Sequence, residues 1–218
     1  MKPIYYILFA LVFAICGFFV VTYAAGYKID LTSRTISQTG MISVQADQDA
    51  KIFVNDEQKG VAKLTLRSVQ PGTYTVKVTK PGYFDWNKTI EVDPGGAEII
   101  NDVIQFKQNP TVAEFTDTST GLFKSLPDTD GLVVSSGTIL QNGNFVTRFQ
   151  TDVTGVCWYP DRRYVAFSAD NKLKIIEIDG TNLIDLLDKK STSPVLFVNS
   201  GRSVIYESDG KSFKADIR

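Results

Sequence analysis

The tightest limit on what this chain can fold into is a long stretch without a single charge. From Ile4 to Ala25 it reads IYYILFALVFAICGFFVVTYAA. As a helix, these about 22 residues extend about 33 Å at about 1.5 Å each. That is enough to cross a hydrocarbon core about 30 Å thick. About a dozen of them are Ile, Leu, Phe or Val, which together favour insertion by about 4–7 kcal/mol. Tyr5, Tyr6 and Tyr23 stand near the two ends, where an amphipathic ring prefers the headgroup layer. The rival reading is a cleaved signal peptide, with small residues at Ala24, Ala25 and Gly26. The apolar part of such a peptide is only about 7–15 residues long, so length favours an uncleaved transmembrane signal-anchor over residues 1–25. Lys2, just before the run, favours a cytoplasmic N-terminus, with all that follows outside the membrane.

The composition excludes several kinds of chemistry. There is no histidine, which removes Ser-His-Asp and Cys-His catalysis and His-ligated zinc. The net charge is −1, without the basic stripe that a nucleic-acid partner requires. Cys16 lies in the apolar run and Cys157 far along the chain, so no disulfide framework is expected. Cys157, beside Trp158, reads as a small buried hydrophobe.

Past a polar linker over residues 26–37, short alternating runs are separated by turn signals. Ile42 with Val44, Ile52 with Val54, and Leu64 with Leu66 each share a face, and residues 55–60, NDEQKG, read as a turn. The clearest run is TYTVKVTK, from Thr73 to Lys80. Tyr74, Val76 and Val78 alternate with threonine and lysine, the period of a half-buried antiparallel strand. Pro71-Gly72 and Pro81-Gly82 punctuate it. Tyr83, Phe84 and Trp86 follow, then Ile90 and Val92, then the turn DPGG, and residues 97–106 close the module.

This pattern resembles the PEGA domain, a small β-sandwich of envelope-associated proteins. The resemblance rests on Thr39-Gly40-x-Ile42-x-Val44, on Ala50-x-Ile52-Phe53-Val54-Asn55-Asp56 with Gly60, and on Pro71-Gly72-x-Tyr74-x-Val76-x-Val78. It continues through Lys80-x-Gly82-Tyr83-x-x-Trp86 and Ile90-x-Val92. The four residues that name the family fall on Asp47-Gln48-Asp49-Ala50, where only the alanine is kept. The resemblance implies a β-sandwich over residues 38–107, a surface or envelope role, and no catalytic residue.

After Pro110 the pattern changes. The stretch from Val153 to Gly180, slid by about 39 residues, meets the stretch from Thr192 to Arg218. Trp158 then falls on Phe197, Arg163 on Arg202, Val165 on Val204, Phe167 on Tyr206, Asp170 on Asp209 and Ile178 on Ile217. A period near 40 with short strands is the mark of propeller blades. A fainter copy runs from Leu126 to Phe149. Trp158-Tyr159-Pro160-Asp161 followed by Tyr164-Val165-Ala166-Phe167-Ser168 resembles the repeat of TolB-like propellers, which implies a partial β-propeller-like region over residues 111–218. Two to three blades fall short of the about 4–8 of a closed propeller. An envelope protein or a second copy completing the propeller, shelter by the preceding module, and truncation of a longer propeller are the three ways to cover the open blades.

The remaining constellations each have a plain reading beside a sharper one. Asp128-Thr129-Asp130-Gly131 has the start of a calcium loop but not its later acidic positions, and reads as an Asp-rich turn. Asp161-Arg162-Arg163 reads as a blade turn with solvated arginines. Tyr83, Phe84 and Trp86 form the candidate ligand or interface surface, as a sugar-stacking platform or as packing aromatics. Asp161 and Asp170 are the carboxylates an enzyme reading would use. The fold class expected is an all-β soluble region, a small β-sandwich plus propeller-blade-like antiparallel sheets, with one N-terminal transmembrane helix. The function expected is a non-enzymatic, membrane-anchored envelope protein for protein or cell-wall interaction, with no cofactor and no metal. The alternatives are a cell-wall glycan module built on the edge aromatics and a non-catalytic subunit of an envelope enzyme.

Overall fold

The computed structural model describes residues 4–24, 26–30, 35–101, 103–116 and 128–218. Residues 1–3 with Lys2, Ala25 at the end of the apolar run, part of the linker, and Leu126 at the start of the faintest repeat lie outside the described residues. The apolar run forms one helix, α1 (Ile4–Ala24), with no side chain buried against the protein. It is long and apolar enough to cross a membrane. The rest of the described chain is mostly β-sheet. By its contacts it divides into two compact units, residues 1–78 with 89–104, and residues 79–88 with 105–218.

In the first unit, β1 (Tyr27–Asp30) and β2 (Thr35–Gln38) form an antiparallel hairpin directly after α1. The chain returns to where the helix ends, because Thr39 donates to the Gly26 carbonyl from both its N–H, at 2.9 Å, and its Oγ1, at 2.7 Å. Next come β3 (Gly40–Gln45), β4 (Lys51–Val54), β5 (Glu57–Val61), β6 (Lys63–Val69), β7 (Gly72–Thr79), β8 (Trp86–Val92) and β9 (Ala97–Ile100). They make one seven-stranded sheet in the order β8-β7-β4-β5-β6-β3-β9. Its buried face carries Ile42, Val44, Ile52, Val54, Leu64, Val76, Val78, Ile90 and Val92, the positions that alternation selects.

Two features depart from the sequence reading. Residues 55–60 are not all turn: Asn55 and Asp56 alone turn the chain, at φ 49° and 62°, and Glu57–Val61 is strand. Two residues of positive φ make the tight hairpin turn whose twist matches the flanking strands. The strand escapes a hydrophobic pattern because Gly60, opposite Ile52, holds its inward position. A Cβ on Gly60 would sit 3.3 Å from the Leu64 side chain, so that side chain fills the space instead. The second feature is β9, which lies parallel to β3, pairing Met41 with Ala97 and Val44 with Ile100.

The second unit holds β10 (Thr111–Glu114), β11 (Leu132–Ser135), β12 (Thr138–Gln141), β13 (Asn144–Arg148), β14 (Thr154–Trp158), β15 (Tyr164–Ala169), β16 (Lys172–Glu177), β17 (Ile184–Leu187), β18 (Leu196–Val198), β19 (Ser203–Ser208) and β20 (Lys211–Asp216). They form three antiparallel sheets, ordered β11-β12-β13, β14-β15-β16-β17 and β10-β20-β19-β18. The repeat is kept in backbone detail. Trp158 pairs with Val165, and Phe197 with Val204. The turns at Asp170-Asn171 and Asp209-Gly210 all have positive φ. Ile178 N–H donates to the Arg163 carbonyl, and Ile217 N–H to that of Arg202. A core of Ile139, Val146, Trp158, Val165, Phe167 and Ile176 packs the first of these sheets against the second. The outer edge of β20 is taken by β10, from the start of the unit, which becomes the edge strand of that sheet.

Gly201 shows how tight this packing is. Its φ is +81°, and an added Cβ would clash with the Tyr159 ring and its hydroxyl. Gly210 has φ +74° and nothing within 4 Å of such a Cβ. Gly201→Ala is expected to cost more than about 1 kcal/mol and more than Gly210→Ala, by urea denaturation in detergent. Equal losses would show that strain alone, without the ring contact, governs both positions.

Candidate functional site

The candidate aromatics belong to the second unit. Pro81 and Gly82 turn the chain after β7, and residues 79–88 pair with the stretch that follows residue 104. Phe84 N–H donates to the Phe106 carbonyl at 2.8 Å, and Gln108 N–H to that of Gly82 at 2.9 Å. Tyr83 and Phe84 are half-buried, and the Lys80 ammonium lies 4.5 Å above the Tyr83 ring. Trp86, the first residue of β8, is only 4% exposed.

What Trp86 touches is the most developed polar cluster of the unit. Its Nε1–H donates to Glu177 Oε1, which also accepts from the Tyr164 hydroxyl at 2.8 Å. Glu177 Oε2 accepts from Lys88 Nζ at 3.2 Å and from Thr181 Oγ1 at 3.1 Å. Glu177 ends β16 and is 8% exposed. A buried carboxylate is tolerated where hydrogen bonds and a cation replace its water, and four donors do so here. Beside it, Asn182 grips the Asn87 backbone, accepting from its N–H at 2.9 Å and donating to its carbonyl at 3.0 Å. Lys88 pairs with Asp179 at 2.7 Å. Burial works against the Lys88 charge, but Asp179 and Glu177 outweigh it and raise its pKa. Burial likewise pushes Asp179 up, but the Lys88 ammonium and two bonds from Thr181 outweigh that and hold it below its ordinary value. Tyr164 is raised by burial and by the Glu177 charge.

The other candidates fall into local bonding. Asp128 accepts from Asp130 N–H and pairs with Arg162 at 2.6 Å, a turn fixed by an arginine. The Asp130 carbonyl accepts from Trp158 Nε1 at 2.8 Å. Asp161 accepts from the N–H and Nε of Arg163. Asp170 accepts from Thr151 Oγ1 at 2.6 Å, at the wall of a polar cleft of about 320 Å³ that Asp152, Ser168 and Lys190 also line. Among the described residues no group of three or more Cys, Asp or Glu is placed to hold a metal ion. Cys157 is buried, with its thiol pushed up to about 12 by burial. Cys16 is free on the exposed surface of α1.

Sequence reasoning picked out Trp86 but not its partner. Glu177 ends a strand as the last acidic residue before a turn, and nothing in its spacing relates it to a tryptophan about 90 residues earlier. The visible hint was the polar pair Trp86 and Lys88 on one face of a strand that otherwise buries Ile90 and Val92.

Comparison with known proteins agrees with this architecture. The PEGA domain family matches residues 39–105, less than half of the chain, and that match includes Trp86 and Lys88. No curated protein matches the chain. The PEGA match is consistent with a non-enzymatic protein.

Two measurements test the cluster. In a double-mutant cycle, Trp86→Phe and Glu177→Gln are each expected to cost about 1–3 kcal/mol and to couple by more than about 0.5 kcal/mol in urea denaturation. Additive losses would mean that the indole does not support the carboxylate. The Lys88–Asp179 pair sets a pH window. Asp179, depressed in the folded state, adds stability that is lost as pH falls through its folded value. Lys88, raised, adds stability that is lost as pH rises through its own. The pair is therefore expected to stabilise from about pH 4 to about pH 10. Lys88→Met should lower the melting temperature inside that window and flatten its acid side. An unchanged acid limb would remove Asp179 from the account.

Proposed function

We propose that this is a non-enzymatic, membrane-anchored envelope protein that holds β-domains outside the membrane for protein or cell-wall interaction. The observation that carries the reading is α1, apolar on every side and with none of its side chains buried among the described residues, leading into a sheet region that matches the PEGA domain. In this reading residues 1–25 are the signal-anchor with a cytoplasmic N-terminus, and residues 26–37 a linker. Residues 38–107 are a PEGA-type β-sandwich, and residues 111–218 two to three propeller-type blades. The conserved offset of strands, turns and hydrogen bonds between the last two sheets supports the blade assignment.

A protein partner is favoured over a glycan. A sugar platform needs open ring faces, whereas the Trp86 indole is buried and its N–H is committed to Glu177. Tyr83, Phe84 and Trp86 therefore serve as packing and interface aromatics. Val133, Leu140 and Phe145 share one face of the three-stranded sheet by register, with Phe145 66% exposed. That face suits an envelope protein or a second copy completing the propeller.

The test is made on the full chain in a bacterial host. The protein is expected to stay with membranes through alkaline extraction, and its folded part to be cut by protease added outside spheroplasts. Release by alkali, or protection of residues 38–218 in intact spheroplasts, would overturn the anchor or its orientation.

A further inference from the structure

The seven-stranded sheet has a second face. Register sets its members: Lys51 opposite Val61, Val61 opposite Lys63, and Lys63 opposite Gln45. The same face carries Thr65 with Ser43 and Arg67 with Met41, and across β9 Ile99 with Ser43 and Ala97 with Met41. Three cations stand here, all exposed: Lys51, Lys63 and Arg67. Among the described residues none of the three forms an ion pair. No carboxylate from β3, β4, β6 or β9 has this parity, since Glu98 lies opposite Ile42 on the buried face; beyond β4 the same parity carries Lys77 of β7 and Glu91 of β8. Glu57 of β5 faces Val54 and is neutralised by Lys59 at 2.7 Å. Among the cations stands one exposed apolar side chain, Val61 at 50%, and Ile99 at 58% lies to one side on the edge strand β9.

The place of this face in the unit is also fixed. β3 starts at Gly40, and its neighbour Thr39 is bonded twice to Gly26, two residues beyond the end of α1. The Arg67–Met41–Ala97 row is next to that junction. If α1 spans a bilayer, the sheet begins at its surface.

We propose that this basic, partly apolar sheet face rests on the anionic phospholipid headgroups of the membrane that α1 crosses. The inference builds on the anchor reading above. The cations match lipid phosphates in charge, the apolar side chains enter the headgroup layer, and the covalent tether makes the contact intramolecular.

The test uses the full chain with Cys16→Ser and Val61→Cys, labelled at position 61 with an environment-sensitive dye and reconstituted into two vesicle types. One contains phosphatidylcholine alone, and the other adds phosphatidylglycerol. The expected result is a blue shift, with quenching by lipid-borne nitroxide, in the anionic vesicles only. About 1 M salt, where the Debye length is about 3 Å, should reverse it. Lys51→Glu with Lys63→Glu and Arg67→Glu should abolish it while far-UV circular dichroism stays unchanged. A water-like dye in anionic vesicles, or a shift that survives the charge reversal, overturns the proposal. So does a shift that appears only when other envelope proteins are added, which would assign the face to a protein partner. Failure of the chain to float with either vesicle would instead defeat the anchor reading, so the two failures are distinct.

Discussion

A buried carboxylate governs how the second unit is assembled. Taking Glu177 out of water costs several kcal/mol unless donors replace the water. The donors come from separated parts of the chain: Trp86 and Lys88 from one side, Tyr164 and Thr181 from the other. The C-terminal repeats alone would leave Glu177 with only its Tyr164 and Thr181 bonds. The unit is complete only with residues 79–88, which the PEGA match also includes. Phe106 reinforces the same join, packing edge-on against Tyr159 and Tyr164 at 5.7 and 5.5 Å between centroids. A family boundary drawn on sequence and a folding boundary drawn on contacts therefore fall in different places.

Legibility in the sequence followed how local the cause was. Alternation in Thr73–Thr79 gave the buried pair Val76 and Val78, because the side-chain period of a strand is set by its own backbone. The repeat offset carried through to matching turns at Asp170 and Asp209, because short polar residues reach positive φ at low cost. The strand Glu57–Val61 was hidden because its inward position is glycine, a choice dictated by Leu64 across the sheet. The parallel pairing of Ala97–Ile100 with β3, and the pairing of Thr111–Glu114 with β20, were hidden for a related reason. Every residue of β10 is exposed, so it shows no hydrophobic pattern, and its place is set by backbone bonding to a strand about a hundred residues later. Of the site, the aromatic half was visible and the carboxylate half was not.

The β10–β20 pairing also changes how the repeats manage their edges. A stack of sheets that ends on a free strand offers unpaired N–H and C=O groups. Here the first strand of the unit pairs with the last and takes its place as the edge, a short strand with every residue exposed, and Lys107 N–H donates to the Ile217 carbonyl at 2.9 Å alongside it. The Lys107 ammonium adds an ion pair to Asp216 at 2.6 Å. The two ends of the unit thus hold each other, at the cost of contacts very distant in sequence, which slow folding.

The same bonding decides what the acidic residues can do. A general acid at neutral pH needs a carboxyl pushed upward by burial away from cations. Asp128, Asp179 and Asp185 are all shifted the other way. Asp128 is lowered by the Asp130 N–H and by Arg162. Burial would raise Asp185, but Lys172 and Lys174 outweigh it, just as Lys88 does for Asp179. Lys174 itself is drawn between Asp185 and Asp170, at 2.6 and 3.6 Å. Each such pairing fixes a turn or joins neighbouring strands, and in doing so stabilises the charged form that proton transfer would have to give up. At these three aspartates the charge holds loops and strands in place.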